Sequence, residues 1–186
     1  MSSNPDWATR AYGWTVAKLE SWAALPLRLI VGYGFMEHGY AKIVKGPEHF
    51  AAILHAIGVP APDLMSWATI VIELIGGFAV MVGAFVPWVS VPMAAVLLVA
   101  ALTVHLPYGF SSIKIQSVTA GRAQFGQPGY ETDLLYLACL AALVLGGSGR
   151  FAVDGLRAKF RQRDTAVPTP RMARQPSPSA FRDVSK

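Results

Sequence analysis

The chain has 186 residues, 53% of them apolar and only 15% charged, where ordinary soluble domains carry about a quarter charged residues. Its formal net charge of +5 does not read as nucleic-acid binding, because eight of the 16 Lys and Arg lie between Arg157 and Lys186 and leave the centre nearly uncharged. A lone cysteine, Cys139, excludes an intrachain disulfide and a CxxC redox pair.

The first residues, with Asp6, Arg10, Lys18 and Glu20, lack the apolar core and small-residue cleavage pattern of a signal peptide, so the first apolar run is read as retained. Trp7, Tyr12, Trp14 and Trp22, interleaved with Arg10 and Lys18, predict a short interfacial helix over the leader, 1–21. Four stretches then approach the roughly 20 apolar residues needed to cross a bilayer core, at 22–41, 64–86, 88–108 and 130–151. The last has the shortest apolar centre. A soluble bundle is a poor rival, because two nearly uncharged runs follow each other with only Pro87 between them. The expected architecture is therefore an all-α, membrane-embedded four-helix bundle over 22–155. The remainder, 156–186, is rich in Pro, Ser and Arg and predicts a disordered basic tail drawn to anionic lipid.

Arg10, Lys18, Arg150, Arg157, Lys159, Arg161 and Arg163 outnumber the basic residues of the intervening loops, which places both termini in the cytoplasm. In the first outer loop, Phe50, Ile53, Leu54 and Ile57 recur at helical spacing and predict a short amphipathic helix at the interface. His49 and His55 in the same loop read as solvent-facing. The second outer loop, 106–129, is long, polar and Gly-rich, the kind of segment that forms lids or binding loops.

Ionisable groups at bilayer depth are costly unless paired or hydrated, and each is a functional candidate. Glu37 and His38 fall near the outer end of span one. Glu73 lies nine residues into span two, roughly 14 Å below the outer surface at 1.5 Å per residue. His105 and Tyr108 end span three, and Glu131 and Asp133 open span four. On span one, Arg28, Gly32, Phe35, Gly39 and Lys42 share a stripe; His38 lies beside it, Glu37 a further 100° away, and Lys42 is expected to reach the outer surface. On span two, Ser66, Thr69, Glu73, Gly76, Val80 and Gly83 form a small-residue stripe that aims Glu73 inward. On span three the expected stripe is Ala94, Leu98, Ala101, His105 and Tyr108. Arg28 and Asp154 meet near the inner surface, where they are candidates to pair.

With these residues in view, the chain resembles the DoxX/DoxD family of small four-span membrane proteins. The resemblance rests on LRLIVGYGFMEHGYAK, IELIGGFAVMVGAF, HLPYGF and GYETDLLYLACLAALVLGGSGRFAVDG, and covers residues 25–155. His38, Gly39 and Lys42 match an HGxxK pattern, Glu73, Gly76 and Gly77 an ExxGG pattern, and Glu131 a GxE that opens the last span. The resemblance implies a multi-pass protein of a bacterial-type plasma membrane. Some relatives are subunits of quinone-reducing thiosulfate oxidoreductases, and others are linked to redox stress or detoxification.

The first functional expectation is a quinone-linked oxidoreductase subunit, with His38, Glu73, His105 and Glu131 as catalytic candidates and Tyr108, Lys42 and Glu37 contacting substrate. Quinone reduction takes up two protons, which calls for His and carboxylate relays. Arg28, Gly39, Gly76, Gly77 and Asp154 are assigned to structure. The alternative is a non-catalytic membrane anchor or assembly partner for a soluble oxidoreductase. A haem between His38 and His105 rests on two histidines only. No HxxxH or ExxH spacing supports a metal, no nucleotide fingerprint is visible, and a transporter would need a homo-oligomer to widen its lumen.

Overall fold

The computed structural model describes residues 6–149 and 151–156, with side chains described from residue 22 onward. The basic tail and Arg150 lie outside the described residues. The chain is mostly helical. Helix α1 is Asp6–Lys45, α2 is Pro47–Ala56, α3 is Pro62–Val82 and α4 is Val86–Tyr108, and α5 is Glu131–Gly146. A two-stranded antiparallel hairpin, β1 (Ile115–Thr119) and β2 (Arg122–Phe125), joins α4 to α5.

Helix α1 is continuous, so the leader from Asp6 onward and the first apolar run form a single helix. Pro26 sits inside it, near the start of the apolar run, and removes one i→i−4 hydrogen bond without ending the helix. At its far end Gly46, at φ 98°, turns the chain sharply into α2, whose start is tied to α3 by the Ser66 hydroxyl donating to the Pro47 carbonyl at 2.8 Å. The fourth apolar stretch gives a shorter helix than 130–151, because Gly147, at φ 80°, ends it after Gly146.

Among the described residues, two helices, α3 and α4, are long and apolar enough to cross a membrane. Only 33% and 22% of their most apolar windows are buried inside the protein, unlike the core helix of a soluble domain. Trp67, Ile75, Phe78, Val91 and Leu102 all project outward from them. A surface of that apolarity marks a contact with a membrane or another protein. The interior is narrow, with Val31, Phe35, Val80, Val86, Met93, Leu140 and Leu143 at its centre.

Helices α1 and α3 touch through their backbones. A Cβ added at Gly32 would stand 2.6 Å from the Gly77 carbonyl oxygen, and one at Gly77 would stand 2.7 Å from the Gly32 oxygen. Neither neighbour is a flexible side chain, so neither can yield. The opposite end of the bundle is closed by residues 148, 149 and 151–156. The Asp154 carboxylate accepts from the backbone N–H of Phe85 at 3.0 Å and of Val86 at 3.2 Å, capping α4, while its own N–H donates to the Gly83 carbonyl. Arg28 donates to the Ser148 carbonyl at 2.8 Å and to the Met81 carbonyl at 3.3 Å. Arg28 and Asp154 thus both fasten the turn between α3 and α4.

Both α3 and α4 contain a π-helical turn, at Ile72–Gly76 and Ala101–His105. Such turns insert an extra residue and rotate everything beyond them. On α4 the buried line runs through Val86, Ser90, Met93 and Ala101, with Leu97 packed on the core and Leu98 exposed. The expected stripe is therefore missed at two points: Leu98, before the π-helical turn, is one 100° step from the packed Leu97, and Tyr108, beyond the turn, is exposed.

The Gly32–Gly77 contact generates a contrast. Gly77→Ala should lower stability by about 1–3 kcal/mol through overpacking, whereas Gly146→Ala, whose Cβ would meet nothing within 4 Å, should be neutral or mildly stabilising. Thermal unfolding in detergent checks both; equal midpoints for the two variants would refute the close approach.

Candidate functional site

Four helices contribute ionisable side chains to the end of the bundle that carries α2. Lys42 of α1 and Glu73 of α3 form an ion pair, with the ammonium 2.7 Å from each carboxylate oxygen. His105 of α4 and Asp133 of α5 form a second pair, Nδ1 to Oδ2 at 2.6 Å. Glu73 and Asp133 are both 5% exposed. Carboxylates this enclosed are tolerated because each has its partner, and among the described residues no buried side-chain nitrogen or oxygen lacks a hydrogen bond.

Local backbone explains the first pair. Gly39 lies on the face of α1 that meets α3, where an added Cβ would stand 3.1 Å from the Glu73 Cβ and 2.9 Å from Leu74 Cγ. With that space left open, α1 approaches Glu73, and Lys42, one turn on, folds its flexible arm onto the carboxylate instead of reaching for the outer surface. Its ammonium also stands 5.0 Å from the centroid of the Phe50 ring of α2, a cation–π contact that ties α2 to the pair.

Both pairs line one cavity of about 570 Å³, within the range of small-ligand sites. His38 lines it too, as do Thr69, Thr103, Thr132 and Tyr136, against a mainly apolar wall. The face of α2 predicted to be apolar, Phe50, Ile53, Leu54 and Ile57, forms part of that wall, so α2 roofs a cavity instead of only lying at an interface. Ile53, Ile57, Met65 and Val99 line the cavity and are also exposed, which gives its opening an apolar rim.

Of the sequence candidates, His38, Lys42, Glu73 and His105 line the cavity; Glu37, Tyr108 and Glu131 do not. Glu37 is exposed, one helical step of 100° beyond His38. Tyr108 falls on the 3-10 turn after the π-helical segment and is exposed. Glu131 serves the loop instead, its carboxylate accepting from the Ser112 N–H at 2.9 Å. The residue that sequence reasoning passed over is Asp133. Glu131 and Asp133 are 200° apart on α5, so only one can face inward, and Asp133, Tyr136, Leu140 and Leu143 follow helical spacing along the inward face. That spacing was the available signal. Among the described residues, no group of three or more His, Cys, Asp or Glu is placed to hold a metal ion.

The chemistry is that of polar tips in an apolar chamber. With Nδ1 turned to Asp133, His105 has Nε2 for a ligand: the imidazolium donates there and the neutral ring accepts. Asp133 orients the ring, as a carboxylate does behind a working histidine. Lys42 brings a donor from the other helix pair.

Residues 23–106 match the family model named DoxX. Over that stretch the chain is similar to the DoxX family. The matched residues hold His38, Lys42, Glu73 and His105, while Asp133 lies beyond them. No match was found among curated proteins or among solved structures.

The first ion pair gives a stability prediction. Lys42→Met should destabilise the protein by about 3 kcal/mol, because Glu73 is left enclosed without its cation. Adding Glu73→Gln should recover most of that loss, since the stranded charge is then gone. Unfolding of the two variants in detergent reads the effect, and additive losses in the double variant would show that the pair is not coupled.

Proposed function

We propose that all four long helices cross the membrane, with both termini cytoplasmic, and that the outer-half cavity binds the head group of a lipid-soluble quinone while an oxidoreductase partner supplies electrons. The observation that carries this reading is the cavity itself: an apolar chamber with an apolar rim, and at its wall the Lys42–Glu73 ion pair and the hydrogen-bonded His105–Asp133 pair. A ligand entering past Ile53, Ile57, Met65 and Val99 comes most readily from the hydrocarbon. Inside, it meets donors suited to carbonyl oxygens.

In this reading a bound quinone takes two electrons from the partner and two protons through the site, giving the hydroquinone. His105 hydrogen-bonds one carbonyl through Nε2 and hands on a proton, with Asp133 holding the ring. His38, exposed at the cavity, connects to water. Lys42 donates from the α1 side, and Glu73 keeps the ammonium in place. The sequence alternative, a non-catalytic anchor for a soluble enzyme, would leave both pairs as packing devices and the cavity without a ligand.

Two measurements test the proposal. Purified protein in lipid nanodiscs should bind a short-tailed ubiquinone analogue saturably in equilibrium dialysis, and His105→Gln should weaken binding about tenfold, the equivalent of one lost hydrogen bond near 1.4 kcal/mol. Equal affinity in the two proteins would contradict the assignment. For topology, Ala120→Cys in a Cys139→Ser background should react with an impermeant maleimide on intact cells, and a green fluorescent protein fused at the C-terminus should fluoresce. Labelling only after lysis would invert or break the four-span arrangement.

A further inference from the structure

The hairpin between α4 and α5 is amphipathic in a way that alternation alone does not reveal. Ile115 pairs with Phe125 and Val118 with Ala123, whereas Ser117 pairs with Gln124 and Thr119 with Arg122. Residues directly opposite share a face, and residues two apart on a strand do as well. Ala123 and Phe125 therefore put Ile115 and Val118 on one face, while Arg122 and Gln124 put Ser117 and Thr119 on the other. The register shift between Ile115 and Ser117 makes this possible, because Ile115 and Val118 are three positions apart and a regular strand would have sent them to opposite faces. The polar face is closed by the Ser117 hydroxyl donating to Gln124 Oε1 at 3.1 Å.

Among the described residues, nothing covers the apolar face. Every residue of both strands is exposed, Val118 to 73% and Phe125 to 62%, and Ile113 beside them is exposed too. A two-stranded ribbon with one unburied apolar face is marginal in water. Its surroundings indicate what supports it. The ribbon begins at Ile115, a short segment beyond the end of α4 at Tyr108, whose last turns present Leu102, Val104 and Leu106 outward, so the apolar surface of a helix fit to cross a membrane runs on toward the ribbon. Residues 109–130 contain Lys114 and Arg122 and no Asp or Glu, a charge that complements lipid phosphates.

We propose that this hairpin is a membrane-surface anchor: its apolar face lies on the leaflet at the α4–α5 end of the bundle, sunk to the boundary of headgroups and acyl chains, with Lys114 and Arg122 at phosphate level. It holds the outer ends of α4 and α5, and with them His105 and Asp133, at a fixed depth. The proposal rests on α4 being embedded in the bilayer.

The test places single spin labels on the full chain, in a Cys139→Ser background, reconstituted in vesicles of phosphatidylcholine and phosphatidylglycerol. Labels at Val118→Cys, Ser117→Cys and Leu102→Cys are compared by power saturation with oxygen, which concentrates in lipid, and with a water-soluble nickel chelate. The expected result is relaxation of the Val118 and Leu102 labels mainly by oxygen and of the Ser117 label mainly by nickel. A Val118 label relaxed by nickel, with Leu102 still relaxed by oxygen, overturns the hairpin anchor alone. Nickel relaxation at both sites overturns the embedding of α4 along with it. Dipolar broadening between Val118 labels that disappears on dilution with unlabelled protein would assign the face to a second copy of the chain and overturn the lipid contact.

Discussion

An ionisable group enclosed among apolar helices persists only if a partner of opposite sign is delivered to it, and the Lys42–Glu73 pair imposes that requirement on much of the structure. Glu73 faces inward from α3 at the level where α1 ends. For Lys42 to reach it, the two helices must approach at Gly39, and the backbone contact of Gly32 with Gly77 two turns below brings them together. The lysine then needs a cover, which α2 supplies through Phe50. The sharp turn at Gly46 and the Ser66 bond to Pro47 serve that placement. The pair, the glycines and the roof form one arrangement.

At the opposite end the same constraint is met with backbone groups. Arg28 donates to the carbonyls of Met81 and Ser148, and Asp154 caps the start of α4. These contacts fix the turn between α3 and α4, while the far ends of those helices contain the π-helical turns and the cavity. One end is thereby closed by hydrogen bonds to backbone, and the other is left roomy and lined by side chains that can change partners. Such a division suits a site that must admit a ligand without loosening the bundle.

Much of this was legible in the sequence wherever a helix stays regular. The stripe from Arg28 through Gly32, Phe35 and Gly39 to Lys42 is buried or half-buried as spaced, and Ser66, Glu73, Gly76, Val80 and Gly83 are buried on α3. Legibility fails where the period changes. The π-helical turn at Ala101–His105 separates Tyr108 from the face it was assigned, and no residue type announces such a turn. Lys42 was misread for another reason: its position near the helix end pointed to the surface, but a four-methylene arm and a missing Cβ at Gly39 let it turn inward. Asp133 was readable by the 100° rule that separated Glu37 from His38, applied to α5. The hairpin was hidden because its register shift breaks the alternation by which strands are recognised.

The central claim is that the cavity walled by Lys42–Glu73 and His105–Asp133 holds a lipid-soluble quinone. The most direct measurement is the quinone content, per mole of protein, of lipid extracts from the chain purified out of its own membranes, compared with a Thr69→Trp variant whose indole would fill the cavity. A quinone-binding cavity should give a near-stoichiometric enrichment of quinone over bulk lipid in the native chain and its loss in the variant. Equal quinone content in the two, at the level of the surrounding membrane, would contradict it.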